Sequence, residues 1–404
     1  MRLVLHHGRE LRRIVQPLFL VVNMAAAICE VARASPPEGY EFIEIYVGYA
    51  DVVSTPRMND CGQVVYSVGD YASPDSEVFL YDNGVISQIT RNSVPDAYPD
   101  INDDGLMAWM VCSDGRLEGE VVYLENGRIT NLGAGGFPRI NGLGHGAWWR
   151  VRPPQDCAPY RTLHFYDGDG IIKLTRGKVN DQGFVVNDDD DIVWTRRWFC
   201  PEPWTSQILL YRDGQIVRLP ASSPQSQMPS INNLGQVAWT GDNRIELWDG
   251  DKPEVVTDWG RNPYLNNRGD MYFLRFHDHN RTWQGWLRTA DGRFYQITDD
   301  PFWNADGDIN DDMEICWNSL DLNSRERRIR YMRRIRSGEA DFAGDVDLKD
   351  YAALAGCLTG PEWVERENPG PQESLCRCRF LDIDHDGDVD LADVALFQNA
   401  FDPD

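Results

Sequence analysis

An asparagine-centred motif recurs seven times between residues 58 and 317, and this repeat restricts the fold more than any other feature of the chain. Each copy has an apolar residue before the asparagine, a turn after it, and a short apolar run that ends in an aromatic residue. A period of this length is typical of propellers, solenoids and similar arrays. The seven asparagines are Asn59, Asn102, Asn141, Asn187, Asn232, Asn266 and Asn310, spaced by 43, 39, 46, 45, 34 and 44 residues.

A predicted hairpin follows the motif in most copies. Leu80–Thr90 shows the pattern, with Asn-Gly between alternating apolar residues, a strong hairpin signal because both turn residues need a positive φ. Similar segments lie at 123–130, 165–175, 210–219, 247–257 and 287–298. Each repeat therefore predicts about four short strands, which is the size of one β-propeller blade.

The repeats predict a mainly β fold, a seven-bladed β-propeller over residues 40–337. The last repeat lacks its outer strand, and the unassigned segment Tyr40–Val47 at the other end supplies one, so we expect the two ends to close the ring. Six blades is the alternative if the unit at Asn187 or Asn310 is irregular. The aromatic-ended strand and Thr-ended hairpin resemble those of TolB-type propellers.

The C-terminal segment 382–393 has the spacing of a calcium-binding loop. Carboxylates stand at positions 1, 3, 5, 9 and 12, and Gly387 at position 6 allows the sharp turn that folds them inward. Ca²⁺ takes six to eight oxygen ligands, which such a loop supplies. The predicted ligands are Asp382, Asp384, Asp386, Asp390 and Asp393, with the backbone carbonyl of Asp388.

A second, weaker loop lies 43 residues earlier. Its position 5 is Ala343, which has no side-chain oxygen, so its occupancy stays open. Its other ligands would be Glu339, Asp341, Asp347 and Asp350, with the carbonyl of Asp345. Each loop leads directly into a predicted amphipathic helix, with the stripes Leu348, Tyr351, Leu354, Leu358 and Leu391, Val394, Phe397, Phe401.

This pair of loop–helix units resembles a type I dockerin over about residues 339–404. The resemblance implies Ca²⁺ as the cofactor and attachment to a cohesin-like protein. Many dockerins carry a Ser-Thr pair at positions 10 and 11 of each loop to meet the cohesin, whereas this chain has Leu348-Lys349 and Leu391-Ala392 there. Another protein or a glycan is therefore an alternative partner.

The N-terminal segment 1–34 has the pattern of a secretion signal, followed by a short linker at 35–39. Four arginines precede an apolar run at 14–31, and small residues at 32–34 fit a signal-peptidase site. The run is too short and interrupted for a good membrane span. Removing it leaves eight cysteines, which predicts disulfides of open pairing. Suggested pairs are Cys157 with Cys200, and Cys357 with Cys378 or Cys376.

Two histidines break the repeat pattern and are the strongest candidates for chemistry in the propeller. His277 and His279 flank Asp278, a spacing that places both rings on one face of a strand or its loop. They are candidate metal ligands, but the sequence does not identify the third and fourth ligands of a tight site. Since no nucleophile elbow, zinc-protease helix or phosphate loop is present, we assign no catalytic residue.

The aromatic residues divide into two sets. The tryptophans that end the repeats are expected in the core between repeats: Trp109, Trp148, Trp194, Trp239 and Trp317. Those outside the repeat pattern are expected in loops after the second strand, where they are better placed to meet a ligand. This second set comprises Trp149, Tyr160, Trp198, Phe199, Trp204 and Trp283.

These features predict a secreted calcium-binding protein whose propeller binds a protein or a glycan. The alternative is a polysaccharide-degrading enzyme, a glycoside hydrolase or lyase, centred near His277 and His279. A net charge of −25 disfavours nucleic acid, because such a field repels phosphates.

Overall fold

The computed structural model describes most of residues 39–335 and two short helices near the C-terminus. The described residues are 37, 39–49, 54–70, 73–112, 119–152, 160–198, 204–279, 281–335, 346, 348–358, 381, 383, 389 and 391–400. The predicted signal segment and most calcium ligands lie outside these residues.

Twenty-seven strands make up the described part of the repeat domain. The first fourteen are β1 (Tyr40–Gly48), β2 (Arg57–Met58), β3 (Val64–Val68), β4 (Glu77–Asp82), β5 (Val85–Gln88), β6 (Asp96–Ile101), β7 (Met107–Cys112), β8 (Gly119–Glu125), β9 (Arg128–Ile140), β10 (Gly146–Arg152), β11 (Tyr160–Tyr166), β12 (Ile171–Lys173), β13 (Asp181–Val186) and β14 (Ile192–Trp198). The others are β15 (Thr205–Arg212), β16 (Gln215–Arg218), β17 (Gln227–Ile231), β18 (Val237–Gly241), β19 (Arg244–Trp248), β20 (Glu254–Thr257), β21 (Arg261–Leu265), β22 (Met271–His277), β23 (Thr282–Arg288), β24 (Phe294–Gln296), β25 (Trp303–Ile309), β26 (Ile315–Leu320) and β27 (Arg327–Arg334).

The strands form small antiparallel sheets in chain order. Five sheets have four strands, in the orders β2–β5, β13–β16, β17–β20, β21–β24 and β1-β27-β26-β25. Strands β6 to β12 form one seven-stranded sheet, because the long strand β9 pairs with β8 along its first part and with β10 along its last. The fold is thus mainly β and built from repeated hairpins, as predicted.

The N-terminal strand completes the last sheet. β1 pairs antiparallel with β27 over the length of the strand, from Tyr40 opposite Arg334 to Gly48 opposite Arg327. This pairing confirms that the segment starting at Tyr40 supplies the strand missing from the last repeat. Because the paired residues lie almost 300 positions apart in the chain, the sequence ends of the repeat domain are held together by one sheet.

The seven repeat asparagines form a closed ring of hydrogen bonds. The side-chain Nδ2 of each asparagine donates to the backbone carbonyl of the asparagine in the next repeat, at N···O distances of 2.8–3.3 Å. The last bond runs from Asn310 to Asn59, 251 residues away, and closes the ring. All seven side chains are buried. The ring therefore joins all seven turns in one circle.

The second atom of each amide explains why the repeat requires asparagine. In every turn, Oδ1 accepts the backbone N–H of the residue four positions later, at 2.8–3.0 Å. One side chain thus holds its own turn with an acceptor and the neighbouring turn with a donor. Aspartate lacks the donor, and alanine lacks both groups. A buried site with these two demands selects the amide.

The repeat tryptophans lie in the core, as predicted. Trp109, Trp148, Trp194, Trp239 and Trp317 are all at most 2% exposed. Four of the five indole N–H groups donate to a buried or half-buried oxygen, for example Trp194 to Asp181 at 3.1 Å. The apolar ring fills the space between sheets, and the hydrogen bond compensates for burial of its nitrogen.

The hairpin turns also match the prediction. Asn83-Gly84, Asn126-Gly127 and Asp213-Gly214 all have positive φ at both turn residues, between 47° and 85°. They connect β4 to β5, β8 to β9, and β15 to β16. These turns fix the strand register, because their twist matches that of the flanking strands.

Two ten-residue helices lie at the predicted 43-residue offset, α1 (Leu348–Cys357) and α2 (Leu391–Ala400). Their core contains Leu354 and Phe397, which occupy the same position in each helix. Loop residues complete it, namely Val346, Leu381 and Val389. The predicted stripes were wrong in part, because Tyr351, Leu358 and Leu391 are exposed, although the Tyr351 ring still lies 6.2 Å from that of Phe397.

Neither described helix has the length and apolar character needed to cross a membrane. Among the described cysteines, Cys61 and Cys357 are disulfide-bonded, whereas Cys112 and Cys316 are buried and free. The other cysteines of the suggested pairs lie outside the described residues, so these pairings remain predictions.

Candidate functional site

A cavity of about 380 Å³ lies at the N-terminal ends of the inner strands, opposite the asparagine turns. Residues of six inner strands or the segments just before them line it, so it spans the ring. This volume is within the range of small-ligand sites. The lining residues are Thr55, Arg57, Phe137, Arg139, Trp149, Arg161, Gln182, Gly183, Phe184, Thr195, Arg197, Gln227, Met228, Tyr264 and Asp306.

Bulges in the inner strands aim side chains towards this cavity. The residue four positions before the ring asparagine has a left-handed backbone in five repeats, with φ between 53° and 57°. Proline follows in four of them, and since it has no N–H to donate, the ladder with the second strand is interrupted there. The five residues are Tyr98, Phe137, Gly183, Met228 and Asn262.

This backbone is strained for bulky residues, and its recurrence is informative. A left-handed conformation costs a non-glycine residue about 1–2 kcal/mol. Bulges also occur preferentially next to binding sites, because they redirect a side chain. Three of the five bulged residues line the cavity: Phe137, Gly183 and Met228. The strain is therefore located where the ring opens.

The residues two positions before the ring asparagines form a layer across the inner strands, and several of them are charged. Asp308 pairs with Arg57, with 3.7 Å between the nearest N and O, and also accepts the backbone N–H of Met58. Asp100 accepts the backbone N–H of Ile140 at 2.9 Å. Burial raises the pKa of both carboxyls, and nearby arginines oppose the shift. These acids join neighbouring inner strands.

Arg139 lies in the same layer but has no carboxylate in ion-pair contact among the described residues. Its Nη1 donates to the carbonyl of Pro138 at 3.3 Å. Burial, reinforced by the positive charge of Arg57, lowers the pKa of Arg139 to about 10. The guanidinium is thus held in a place that disfavours its charge.

Two further arginines stand where second and third strands reach the cavity. The Arg161 guanidinium lies 4.0 Å from the ring centroid of Trp149, and its Nη1 donates to the amide oxygens of Asn180 and Gln182 at 3.3 and 3.2 Å. Burial and then the positive charge of Arg197 lower the pKa of Arg161. Arg197 donates to Gln227, and burial lowers its pKa too.

An aromatic wall adjoins these arginines. The rings of Tyr98 and Phe137 stack at 3.8 Å between centroids, and Phe137 meets Trp149 edge to face at 4.7 Å. The bulges at Tyr98 and Phe137 bring these rings together. The cavity therefore combines a cationic side, an aromatic side and neutral hydrogen-bonding groups from Thr55, Gln182, Thr195 and Gln227.

The aromatic residues predicted for ligand contact have mixed outcomes. Trp149 lines the cavity, yet it is only 7% exposed and belongs to β10, not to a loop. Tyr160, Trp198 and Trp283 also lie in strands, because the second and third strands extend further than the pattern indicated. Trp204 precedes β15 and meets Arg197 at 4.7 Å, Trp283 meets Arg261 at 3.7 Å, and Phe199 lies outside the described residues.

The histidine pair acquires a third polar partner, Asp299, in the structure. One ligand atom from each of His277, His279 and Asp299 lies within 4.8 Å of the other two. His279 Nε2 is 3.0 Å from Asp299 Oδ1. Asp299 is 20 residues further along the chain, so the sequence did not reveal it.

The environment of His277 opposes metal ligation. Its Nε2 accepts the indole N–H of Trp286 at 3.1 Å, which leaves the ring proton on Nδ1 in the neutral state. A metal-bound imidazole normally donates from its other nitrogen, and here one nitrogen already accepts. Burial, followed by the charges of His279 and Arg275, lowers the pKa of His277 and keeps the ring neutral, so the obstacle to ligation is the proton on Nδ1 and not the charge of the ring. The three groups meet, but Trp286 holds His277 in an unsuitable state.

A second ring of polar side chains lies one residue after the asparagines, at the opposite end. Six of its members bond in sequence, with a side-chain oxygen accepting the backbone N–H of the previous turn at 2.6–2.9 Å. Each of these side chains therefore holds the turn of the neighbouring repeat. The seven positions are Asp60, Asp103, Gly142, Asp188, Asn233, Asn267 and Asp311, and the series of side chains is interrupted at Gly142, which has none.

Burial and mutual repulsion perturb these carboxyls. The pKa of Asp103 is raised to about 6, by burial first and also by the nearby Asp188 and Asp311. Burial raises the pKa of Asp60 well above its usual value, with Asp103 and Asp311 adding to the shift. The turn end of the ring is thus acidic, whereas the cavity end is rich in arginine.

Most of the predicted calcium ligands lie outside the described residues. Asp382, Asp384, Asp386, Asp388, Asp390, Glu339, Asp341, Asp345 and Asp347 belong to this group, and the side chain of Asp350 is likewise not described. Asp393 is described. It is fully buried, and its Oδ1 accepts the backbone N–H of Ile383 at 2.5 Å.

No family model and no curated protein matches this sequence. Solved structures match its fold. The β-propeller domain of the Trilobed protease from Pyrococcus furiosus aligns with a TM-score of 0.54 and 13% identity, over 72% of this chain and 96% of that one. A streptogramin B lyase aligns with a TM-score of 0.51 and 11% identity, over 73% of this chain and 97% of that one. Virginiamycin B lyase from Staphylococcus aureus aligns with a TM-score of 0.50 and 12% identity, over 72% of this chain and 99% of that one.

At these identities the likeness concerns the fold alone. The repeat domain is a β-propeller. The protease domain is described as having an open velcro topology, whereas here β1 hydrogen-bonds to β27 in the last sheet. Propellers support many functions, so the fold does not select one.

The sequence reading missed the arginines of the cavity. Their signal was present at the position two before each repeat asparagine, which reads Arg57, Asp100, Arg139, Val185, Ser230, Tyr264 and Asp308. Six of these seven residues are charged or polar, although the residue directly before the asparagine is always apolar. Arg161 and Arg197 gave no comparable signal, because only the sheet register brings them to the cavity.

Proposed function

We propose that this protein is a secreted binding protein whose propeller holds its ligand in the central cavity and whose C-terminal module attaches it to a protein partner. The cavity carries the proposal. It lies where the inner strands converge, and it is lined by strained and buried polar side chains of the kind found at binding sites. The N-terminal signal pattern supports secretion.

We count seven blades in this proposal. The seven-stranded sheet then consists of two blades that share β9, with Arg128–Gly135 as the outer strand of one and Gly136–Ile140 as the inner strand of the next. The seven-membered asparagine ring supports this count. Each blade contributes one inner strand to the ring.

Blocking the cavity tests the binding role. Gln182 lines the cavity on β13, and Gln182→Trp would fill part of it. Gln215→Trp, on the exposed strand β16, is the matched control. We expect labelled protein to bind members of a panel of oligosaccharides and peptides, with binding lost in the first variant and kept in the second. Equal binding by both variants would contradict the proposal.

For the C-terminal module we propose a dockerin-like attachment role with Ca²⁺ bound in the loop Asp382–Asp393. The burial of Asp393 supports this, because the last residue of the predicted loop is fully buried and its carboxylate accepts the backbone N–H of Ile383, the second residue of the same loop. In the proposed site, Ca²⁺ would bind this carboxylate and fix the loop at the start of α2. The attachment partner would be a cohesin-like or another protein.

Calcium removal tests this module. Adding Ca²⁺ to chelator-treated protein is expected to raise a melting transition, since a ligand that binds only the folded state stabilises it. The rise should vanish in Asp393→Asn and persist in Asp213→Asn, an exposed turn variant. A calcium response that survives Asp393→Asn would place the ion elsewhere.

The lyase structures favour an enzyme as the second candidate. A histidine-to-alanine variant of the Staphylococcus aureus lyase is catalytically inactive, and His277 and His279 are the corresponding kind of residue to test here. However, no histidine is among the residues that line the cavity in the described chain. Release of cleavage products from a glycan panel, abolished by His277→Ala, would favour the enzyme over the binding protein.

A further inference from the structure

The cavity has an excess of positive charge within a strongly acidic chain. Four of its lining residues are arginines and one, Asp306, is an acid. Asp306 already accepts from the amide of Asn262. Behind the lining, Asp100 and Asp308 offset part of the charge of Arg57 and Arg139. The balance at the cavity is positive, whereas the whole chain carries −25.

Nearby negative charge compensates only part of the positive charge of the arginines that line the cavity. No carboxylate among the described residues forms an ion pair with Arg139 or Arg161, and the partners of Arg161 are neutral amide oxygens. Its Nε is buried without a hydrogen-bond partner. A buried donor of this kind costs free energy unless a ligand supplies the acceptor. An oxyanion is the acceptor that a guanidinium fork fits best.

The remaining lining suits a ring with hydroxyl groups. Phe137 is half-buried and offers apolar ring surface, which stacks on the faces of sugars and aromatic rings. The side chains of Thr55, Gln182, Thr195 and Gln227 can donate and accept hydrogen bonds without a charge. This combination provides one contact type for an anionic group, one for a ring face and one for hydroxyls.

The volume limits the ligand to a small group. About 380 Å³ lies near the lower end of the range of small-ligand pockets. That space admits a single sugar ring with its substituents, or the end residue of a longer glycan. A folded protein segment would not enter it.

From the charge, the lining and the size together we propose that the cavity binds a hydroxylated organic anion of the sugar-acid type, with Arg161 and Arg197 holding its carboxylate and Phe137 supporting its ring. This inference rests on the proposed use of the cavity as the binding site and adds the chemical class of the ligand.

Calorimetric titration with matched sugars tests the class. D-glucuronate and D-galacturonate are expected to bind the full chain, while glucose and galactose bind at least about tenfold more weakly, because they lack the charge-assisted contact. Acetate, which has the carboxylate but no ring, should also bind weakly. Affinity for the acids is expected to fall as salt is raised.

Arg161→Gln and Arg218→Gln form the matched variant pair. The first removes the charge at the cavity and keeps an amide, and the second does the same on the exposed strand β16. We expect about a tenfold or larger loss of uronate affinity in the first and no change in the second. Thermal melting serves as the folding control, and it should change little because relief of the repulsion with Arg197 offsets lost packing on Trp149.

The outcomes separate the two proposals. Neutral sugars that bind as tightly as their acids, with binding lost in Gln182→Trp, would keep the cavity as the site and overturn the sugar-acid class. Uronate binding that neither Arg161→Gln nor Gln182→Trp weakens would overturn both. Absence of binding by either uronate would overturn the sugar-acid class, and the broader ligand panel would then decide the binding role alone.

Discussion

The inner strands end in two regions that differ in how uniformly their polar groups are paired. At the turn end, every repeat presents the same asparagine, with the same donor and acceptor bonds to its neighbours. At the cavity end, the residues four positions before the asparagine all differ: Thr55, Tyr98, Phe137, Gly183, Met228, Asn262 and Asp306. The same strands thus carry a uniform closure at one end and an individual surface at the other.

The two ends of the inner strands have different structural requirements. A closed ring needs identical joints, so any repeat that departs from asparagine would interrupt the circle. A ligand needs a specific set of groups, so the cavity end can use a different residue from each repeat. The strained, left-handed backbone is found at the cavity end of the inner strands.

Breaking the ring at the turn end is expected to have the largest effect. Asn187→Asp replaces the donor to the Asn232 carbonyl with a buried carboxylate that faces that carbonyl. We expect a loss of about 2–4 kcal/mol in the free energy of unfolding, measured by urea denaturation. Asn126→Asp, in an exposed hairpin turn, should change stability by less than about 0.5 kcal/mol. Similar losses at both positions would show that the ring is not what closes the fold.

Removing one acid from the second ring should act in the opposite direction. Asp103→Asn keeps an oxygen for the backbone N–H of Asp60 but removes a charge that burial and its neighbours disfavour. The ring itself uses asparagine at positions 233 and 267. At pH 7 we expect the variant to be more stable by about 2–3 kcal/mol, since the pKa of Asp103 is raised from 3.8 to about 6 and each pKa unit corresponds to about 1.4 kcal/mol. Asp213→Asn is the exposed control.

The pH dependence gives an independent check of this variant. Because the folded pKa of Asp103 is raised, the folded state binds more protons than the unfolded state between pH 3.8 and about 6. Its contribution to stability therefore falls as pH rises through this window and is constant above it. The advantage of Asp103→Asn over the wild type should grow over the same window. An advantage independent of pH would contradict the electrostatic cause.

The smallest expected effect concerns the strain at the cavity end. Gly183 has φ of 57°, and an added Cβ would have room, with Met228 Sδ the nearest atom at 3.7 Å. Gly183→Ala is therefore expected to cost about 1 kcal/mol, from the backbone alone. Gly170→Ala, in an exposed turn without positive φ, should be neutral or slightly stabilising. No loss in Gly183→Ala would mean that the bulge tolerates any residue.

Repetition made much of the fold predictable from the sequence. The asparagine spacing located all seven turns, the Asn-Gly and Asp-Gly pairs located three hairpins, and the aromatic at the end of each repeat located the buried tryptophans. The N-terminal strand was found because the last repeat lacked a partner for it. In each of these cases, the buried hydrogen-bonding groups that the pattern describes can be paired in only one way.

The candidate site was predictable only in part. Trp149 was selected because it departs from the repeat, and it does line the cavity. The arginines around it were missed, since Arg161 and Arg197 come from different sheets and nothing local marks them. Asp299 joins the histidine pair from another strand connection, and Trp286 decides the state of His277.

The number and position of the turns follow from the amino-acid sequence, because an asparagine that must donate and accept in a buried turn recurs in every repeat. The pairing of the two ends follows from it as well, because the unassigned strand at residue 40 matches the strand missing from the last repeat. Which side chains meet at the axis depends on the tertiary structure. Bulges of one residue reverse the direction of a side chain, and the register between sheets sets which residues become neighbours. The cationic cavity arises from these two effects, neither of which can be read from one repeat alone.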